Sequence, residues 1–170
     1  MFQLRHKILQ VLHDQHATTL QLLERLEDLL RRSRPDNPPP ADEPQVAAFL
    51  SELAAVMEHE VRNHFAFEEE HLFPRFSRVS DPGIAVMLGD EHEVIRPLAR
   101  RIAEVARTAR AEGFTPAAWE EFHRLGAELV EREVFHIQKE EMGFLPALDQ
   151  ILDPEDAEAL AETYSNVESG

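Results

Sequence analysis

Two short stretches carry side chains that could do chemistry together. They are His64-Phe-Ala-Phe-Glu68-Glu69-Glu70-His71-Leu-Phe-Pro74 and His136-Ile-Gln-Lys-Glu140-Glu141-Met-Gly-Phe-Leu-Pro146. Both hold a His, a Glu-Glu pair and a Pro at the same offsets. On a helix, residues four apart share a face, so His64 stands over Glu68 and His136 over Glu140. The face of the first pair is otherwise apolar, with Val46, Leu50, Leu53, Met57, Val61 and Phe67 on or beside it. A titratable pair aimed into such a face must be hydrogen-bonded, ion-paired or metal-bound.

The repeat extends upstream. Asp14-Gln-His16 precedes the first stretch and Asp90-Glu-His92 the second, with the paired histidines 48 and 44 positions apart. The chain therefore reads as two helix pairs, each with one His on its first helix and His-x-x-x-Glu on its second. Four histidines and two carboxylates facing one core point to a site for two metal ions.

This duplicated pattern resembles the hemerythrin-like family of HHE cation-binding domains over nearly the whole chain. The resemblance implies an all-α, antiparallel up-down four-helix bundle with a non-haem di-iron centre in its core. It implies His16, His64, His92 and His136 as terminal ligands and Glu68 and Glu140 as carboxylates bridging two iron ions. Ferritin-like di-metal bundles instead carry Glu-x-x-His, carboxylate first with three-residue spacing, which is not the pattern here. Oxygen-carrying hemerythrins have a second His on the third helix where this chain has Arg96, and a last carboxylate five residues after its His. The lost histidine argues against reversible O2 carriage and for a more symmetric site.

Composition narrows the remaining choices. A length of 170 residues suits one domain, residues 1–170, with a core that needs no staples. A net charge of -16 disfavours nucleic acid and anionic membrane as partners, because both need clustered positive charge. The absence of cysteine excludes disulfides, thiolate ligands and Cys nucleophiles. No signal-peptide core and no run of about 20 apolar residues is present, so a cytoplasmic address is the expectation.

Apolar spacing places a first helix over about Leu4 to Arg32, with Leu9, Leu12, His16, Leu20, Leu23 and Leu30 inward. The proline-rich stretch Ser33 to Pro44 is a loop. A second helix spans about Gln45 to Phe73 and ends before Pro74. Asp81-Pro82 opens a third, which Gly113 stops, with Pro97 expected to kink it near His92. Thr115-Pro116 opens a fourth helix running to about Phe144, and Asp153-Pro154 opens a short C-terminal helix to about Tyr164. His13, His59, His71 and His123 fall at the edge of the inner stripe or off it and are not expected as ligands. Glu60 lies near the stripe, as an imidazole partner or an end-of-bundle polar contact.

The mixed imidazole and carboxylate set suits iron or manganese, with other divalent metals possible. Six protein ligands, two of them bridging, leave positions open for O2, NO or peroxide. Two functions follow as expectations: a module that binds or senses a diatomic ligand or iron, and a redox enzyme acting on O2 or peroxide. The competing reading is a metal-free bundle in which buried His and Glu satisfy one another. Regular helical geometry turns Glu69 and Glu141 away from the site, so their replacement by Gln is expected to change little. A π-bulge near His136 would bring Glu141 inward instead.

Overall fold

The computed structural model describes residues 4–170, which are mostly helical, with no strand among them. Helix α1 spans Lys7–Arg32 and α3 spans Gly83–Glu112. Helix α2 begins as Pro44–His59 and passes through two wide π-type turns, Glu60–His64 and Glu68–Leu72, joined by Phe65–Phe67. It ends as Phe73–Val79. Helix α4 runs as Pro116–Lys139, one π-type turn at Glu140–Phe144, and Leu145–Ile151. Helix α5 covers Pro154–Ser169 and reaches further than the expected end near Tyr164.

The start signals act where their chemistry predicts. The Thr115 hydroxyl accepts from the Ala118 amide at 3.1 Å, and Asp153 Oδ1 accepts from the Asp156 amide at 2.8 Å. Asp81 Oδ1 accepts from the Gly83 amide at 2.7 Å. Gly113 closes α3 with φ of 84°, a conformation that costs a glycine little. Pro97 lies inside α3, which continues as helix on both sides.

Cross-helix pairs fix the antiparallel order. His16 meets His64 while Arg25 meets Glu52, so α1 and α2 run in opposite directions. His92 meets His136 while Arg101 meets Glu121, which does the same for α3 and α4. The result is an up-down four-helix bundle with α5 laid against α1.

The boundaries at the two prolines differ from expectation. Neither α2 nor α4 stops before its Pro; each continues for about two further turns, to Val79 and Ile151. A π turn shifts the hydrogen-bond ladder by one residue, and in both helices it falls just ahead of the proline. The missing amide of Pro74 or Pro146 then sits where the ladder changes register, and the usual interior cost of proline is reduced.

The apolar core is split. One cluster, including Leu26, Leu50, Ile102 and Leu129, fills the end near the α1–α2 loop. A second, including Leu9, Leu72, Phe144 and Leu160, fills the end covered by α5. Between them lies a layer of buried polar side chains: His16, Thr19, Glu60, His64, Glu68, His92, Glu133, His136 and Glu140.

Candidate metal centre

The bundle brings His16, His64, Glu68, His92, His136 and Glu140 together, each no more than 1% exposed. They form two interlocking groups. His16 and His64 face Glu68 and Glu140, and His92 and His136 face the same two carboxylates, with donor atoms in each group within 4.8 Å of one another. Each carboxylate has one oxygen toward each group. Glu68 Oε1 lies 3.1 Å from His64 Nε2 and its Oε2 lies 3.4 Å from His92 Nε2. Glu140 Oε2 lies 3.0 Å from His16 Nε2 and its Oε1 lies 3.2 Å from His136 Nε2.

The outer nitrogen of every imidazole has its own partner. His16 Nδ1 lies 2.6 Å from Glu141, His92 Nδ1 2.8 Å from Glu69 and His136 Nδ1 2.9 Å from Glu91. His64 Nδ1 lies 2.9 Å from the Gln15 side-chain oxygen, which also accepts from the Tyr164 hydroxyl at 2.7 Å. Carboxylate and amide oxygens only accept, so Nδ1 carries a hydrogen, and Nε2 is the nitrogen that turns a lone pair inward once it gives up its proton. The pattern obeys the internal repeat. The residue before each first-helix His holds the partner His, and the residue after each inward Glu holds the His of the other helix pair.

This corrects the expectation for Glu69 and Glu141. They do turn away from the space between the carboxylates, but only as far as the back of an imidazole on a neighbouring helix. The π turns begin at Glu68 and Glu140, so the four-residue step from His to inward Glu is kept and the wider turn follows it. Arg96 does not face the site; it donates to Glu69 at 2.5 Å and so braces the carboxylate behind His92. Gln15 and Glu91 were missed by the sequence reading, although both stand next to a singled-out His in the repeated segment.

The other candidates fall outside this layer or behind it. His13 Nδ1 lies 2.6 Å from Glu141, sharing that carboxylate with His16. Glu60 accepts from the Thr19 hydroxyl at 3.2 Å and makes no bond to an imidazole. His59 pairs with Glu168 of α5, His71 packs on Phe67, and His123 donates to the Leu30 carbonyl. A groove of about 770 Å³ on the outer side of α3 and α4 reaches the site only through Glu91.

Charge within the layer is strongly coupled. Burial pulls the His64 imidazole down, but the Glu68 and Glu60 carboxylates outweigh it and push it up to about 9. Burial likewise opposes His16 and His136, and the carboxylates around them raise both well above the ordinary value. Burial would raise Glu140, yet His136 and His16 hold it well below the usual carboxylate range.

The residues fit bound cations better than they fit one another. Glu68 Oε2 and both oxygens of Glu140 have no properly directed hydrogen-bond partner, although imidazole nitrogens are close. The Nε2 atoms of His16 and His64 point at each other across 3.0 Å, as do those of His92 and His136. Two bare lone pairs at that separation repel, so each pair must hold either protons or a metal ion. A bound metal takes the place of the protons that the carboxylates otherwise keep on these imidazoles. Two nitrogen and two carboxylate donors around each such point make an N/O set suited to a divalent first-row metal.

A helical bundle whose buried mid-layer offers two such donor groups is a cation-binding bundle in its class. The model of the hemerythrin HHE cation-binding domain matches residues 7–148, and the chain belongs to that family. A comparison with curated proteins gives no match.

Proposed function

We propose that the protein is a non-haem di-iron protein that binds or senses a small diatomic ligand, O2 or NO. The observation that carries this reading is the pair of donor groups sharing Glu68 and Glu140, each carboxylate with one oxygen toward each group. His16 and His64 would hold one ion, His92 and His136 the other, and the two carboxylates would bridge them. When bound, iron supplies redox-active positions at which a diatomic ligand or peroxide coordinates. The chain's own residues bound what can reach those positions. Every ligand side chain is almost fully buried, and Phe65 stacks on His92 with ring centroids 3.8 Å apart. A site so enclosed admits ligands of a few atoms and keeps bulk water away.

The four outer hydrogen bonds fix the orientation of each imidazole and keep the Nδ1 proton in place, so Nε2 is the nitrogen left for metal. That pre-organisation favours tight binding of two ions per chain. Protein made in iron-supplemented medium and analysed for metal should contain about two iron ions per chain. Iron absent from such protein, with chelator changing neither helicity nor stability, would overturn the reading. The reduced protein exposed to O2, NO or peroxide then separates binding from catalysis. A reversible adduct supports the binding or sensing module, and sustained consumption of peroxide or reductant identifies a redox enzyme instead.

A further inference from the structure

Two buried acids lie outside both donor groups. Glu133 is fully buried, and neither of its carboxyl oxygens has a hydrogen-bond partner. Glu60 is 3% exposed and has a single partner, the Thr19 hydroxyl at 3.2 Å. Thr19 follows His16 by three residues, Glu60 precedes His64 by four and Glu133 precedes His136 by three. In an antiparallel bundle these offsets place all three in one layer, a helical turn from the histidines and toward the apolar cluster near the α1–α2 loop.

The internal repeat explains why only one acid is served. Glu60 and Glu133 are equivalent across the two helix pairs, because the π turn at Glu60–His64 inserts one residue between that Glu and its His. The equivalent of Thr19 in the second pair is the residue three after His92, and that is Ile95, which is buried and has no donor. Glu133 therefore lacks the hydroxyl that Glu60 has. A carboxylate in such a place keeps neither hydration nor a hydrogen bond, whereas a carboxylic acid is neutral and tolerates it.

We propose that Glu133 stores a proton beside the metal layer at neutral pH, with Glu60 as an acidic neighbour that helps keep it there. The groups facing Glu133 act in that direction. Burial first, and then the Glu60 charge, push its carboxyl up to about 8, while His136 and His64 oppose and Glu140 adds to the rise. A metal ion is a poorer occupant than a proton. Two carboxylates and one hydroxyl are few donors, and the neighbouring layer is itself built for cations. Giving up the proton breaks the Glu133 O–H bond, leaves its electron pair on the carboxylate and consumes no oxidant or reductant. Glu133 can thus lend a proton to the enclosed layer when charge there changes. That use rests on the di-iron reading; the storage does not.

Infrared spectroscopy of the whole protein, metal-free and zinc-loaded, tests the storage. At neutral pH both forms should show one carboxylic-acid C=O band that shifts in D2O. It should be lost in Glu133→Gln, and in Glu60→Gln it should persist but disappear at a lower pH than in the wild type, because the neighbouring charge is gone. Absence of the band in both wild-type forms, or a band unmoved by either variant, would overturn the proposal. Because the metal-free form is measured too, failure to bind iron would refute the functional reading without hiding this result.

Discussion

Removing Glu141 separates an orienting role from a ligating one. Its Oε1 lies 2.6 Å from His16 Nδ1, and its Oε2 lies 2.6 Å from His13 Nδ1. Its carboxyl is held below the usual range; burial opposes, and hydrogen bonds from His16 and His13 outweigh it. Glu141→Ala removes the acceptor that fixes the His16 ring, and loss of such a partner costs about 10- to 100-fold in metal affinity, or about 1.4 to 2.7 kcal/mol. Glu141→Gln keeps an oxygen acceptor but not its charge. Charge-assisted bonds are about twice as strong as neutral ones, so half the loss, about three- to tenfold, is expected. Glu140→Gln is different in kind, since one amide oxygen cannot serve both donor groups, and both ions should be weakened. Zinc, which is redox-inert, titrated against a competing chelator measures each variant. Wild-type affinity in Glu141→Ala would show that the His16 contact does not orient the ring. A loss as complete as that of Glu140→Gln would show that Glu141 is itself a ligand.

The remaining predictions use the same layer. His64→Ala and His136→Ala should each remove metal from one half of the site, seen as about one ion fewer per chain by metal analysis, with helicity retained because the two apolar clusters are untouched. Arg96→His should not add a ligand, because Arg96 lies on Glu69; it should instead weaken binding at the His92 half by less than Glu69→Ala does in the zinc titration. In metal-free protein, His64 has a raised pKa of about 9, so the stability it contributes is complete below its unfolded value and lost as pH rises through about 9. Glu140 has a depressed pKa, so its contribution is present above the unfolded value and lost on acidification. Denaturant unfolding should therefore show a maximum on the mildly acidic side of neutrality. Zinc-loaded protein should not lose stability across the alkaline limb, because the metal replaces the imidazole protons. Thr115→Ala should cost about 1 kcal/mol in the same assay through loss of the α4 cap.

Which parts of this arrangement could be read from the sequence follows from how locally each is encoded. The six inward side chains were legible because their spacing is written twice, and a repeated offset on one helical face survives small changes in helix winding. Helix starts were legible because Thr115 and Asp153 act on amides three residues away. The course of α2 and α4 past Pro74 and Pro146 was not. A proline taken alone predicts a stop, and only the π turn ahead of it supplies the register in which its missing amide matters less. The partners of the imidazoles were half legible. The doubled Glu-Glu stood in both stretches, but regular geometry assigns its second member to no one, since its partner lies on a neighbouring helix whose rotation a single chain segment does not encode. The same limit hid Glu133. Its offset from His136 differs by one residue from that of Glu60 to His64, and the equivalence emerges only when the extra residue is found inside a π turn. The π turns, then, join the two kinds of miss: they let the prolines sit inside the helices, and they bring acids at unequal spacings into one layer.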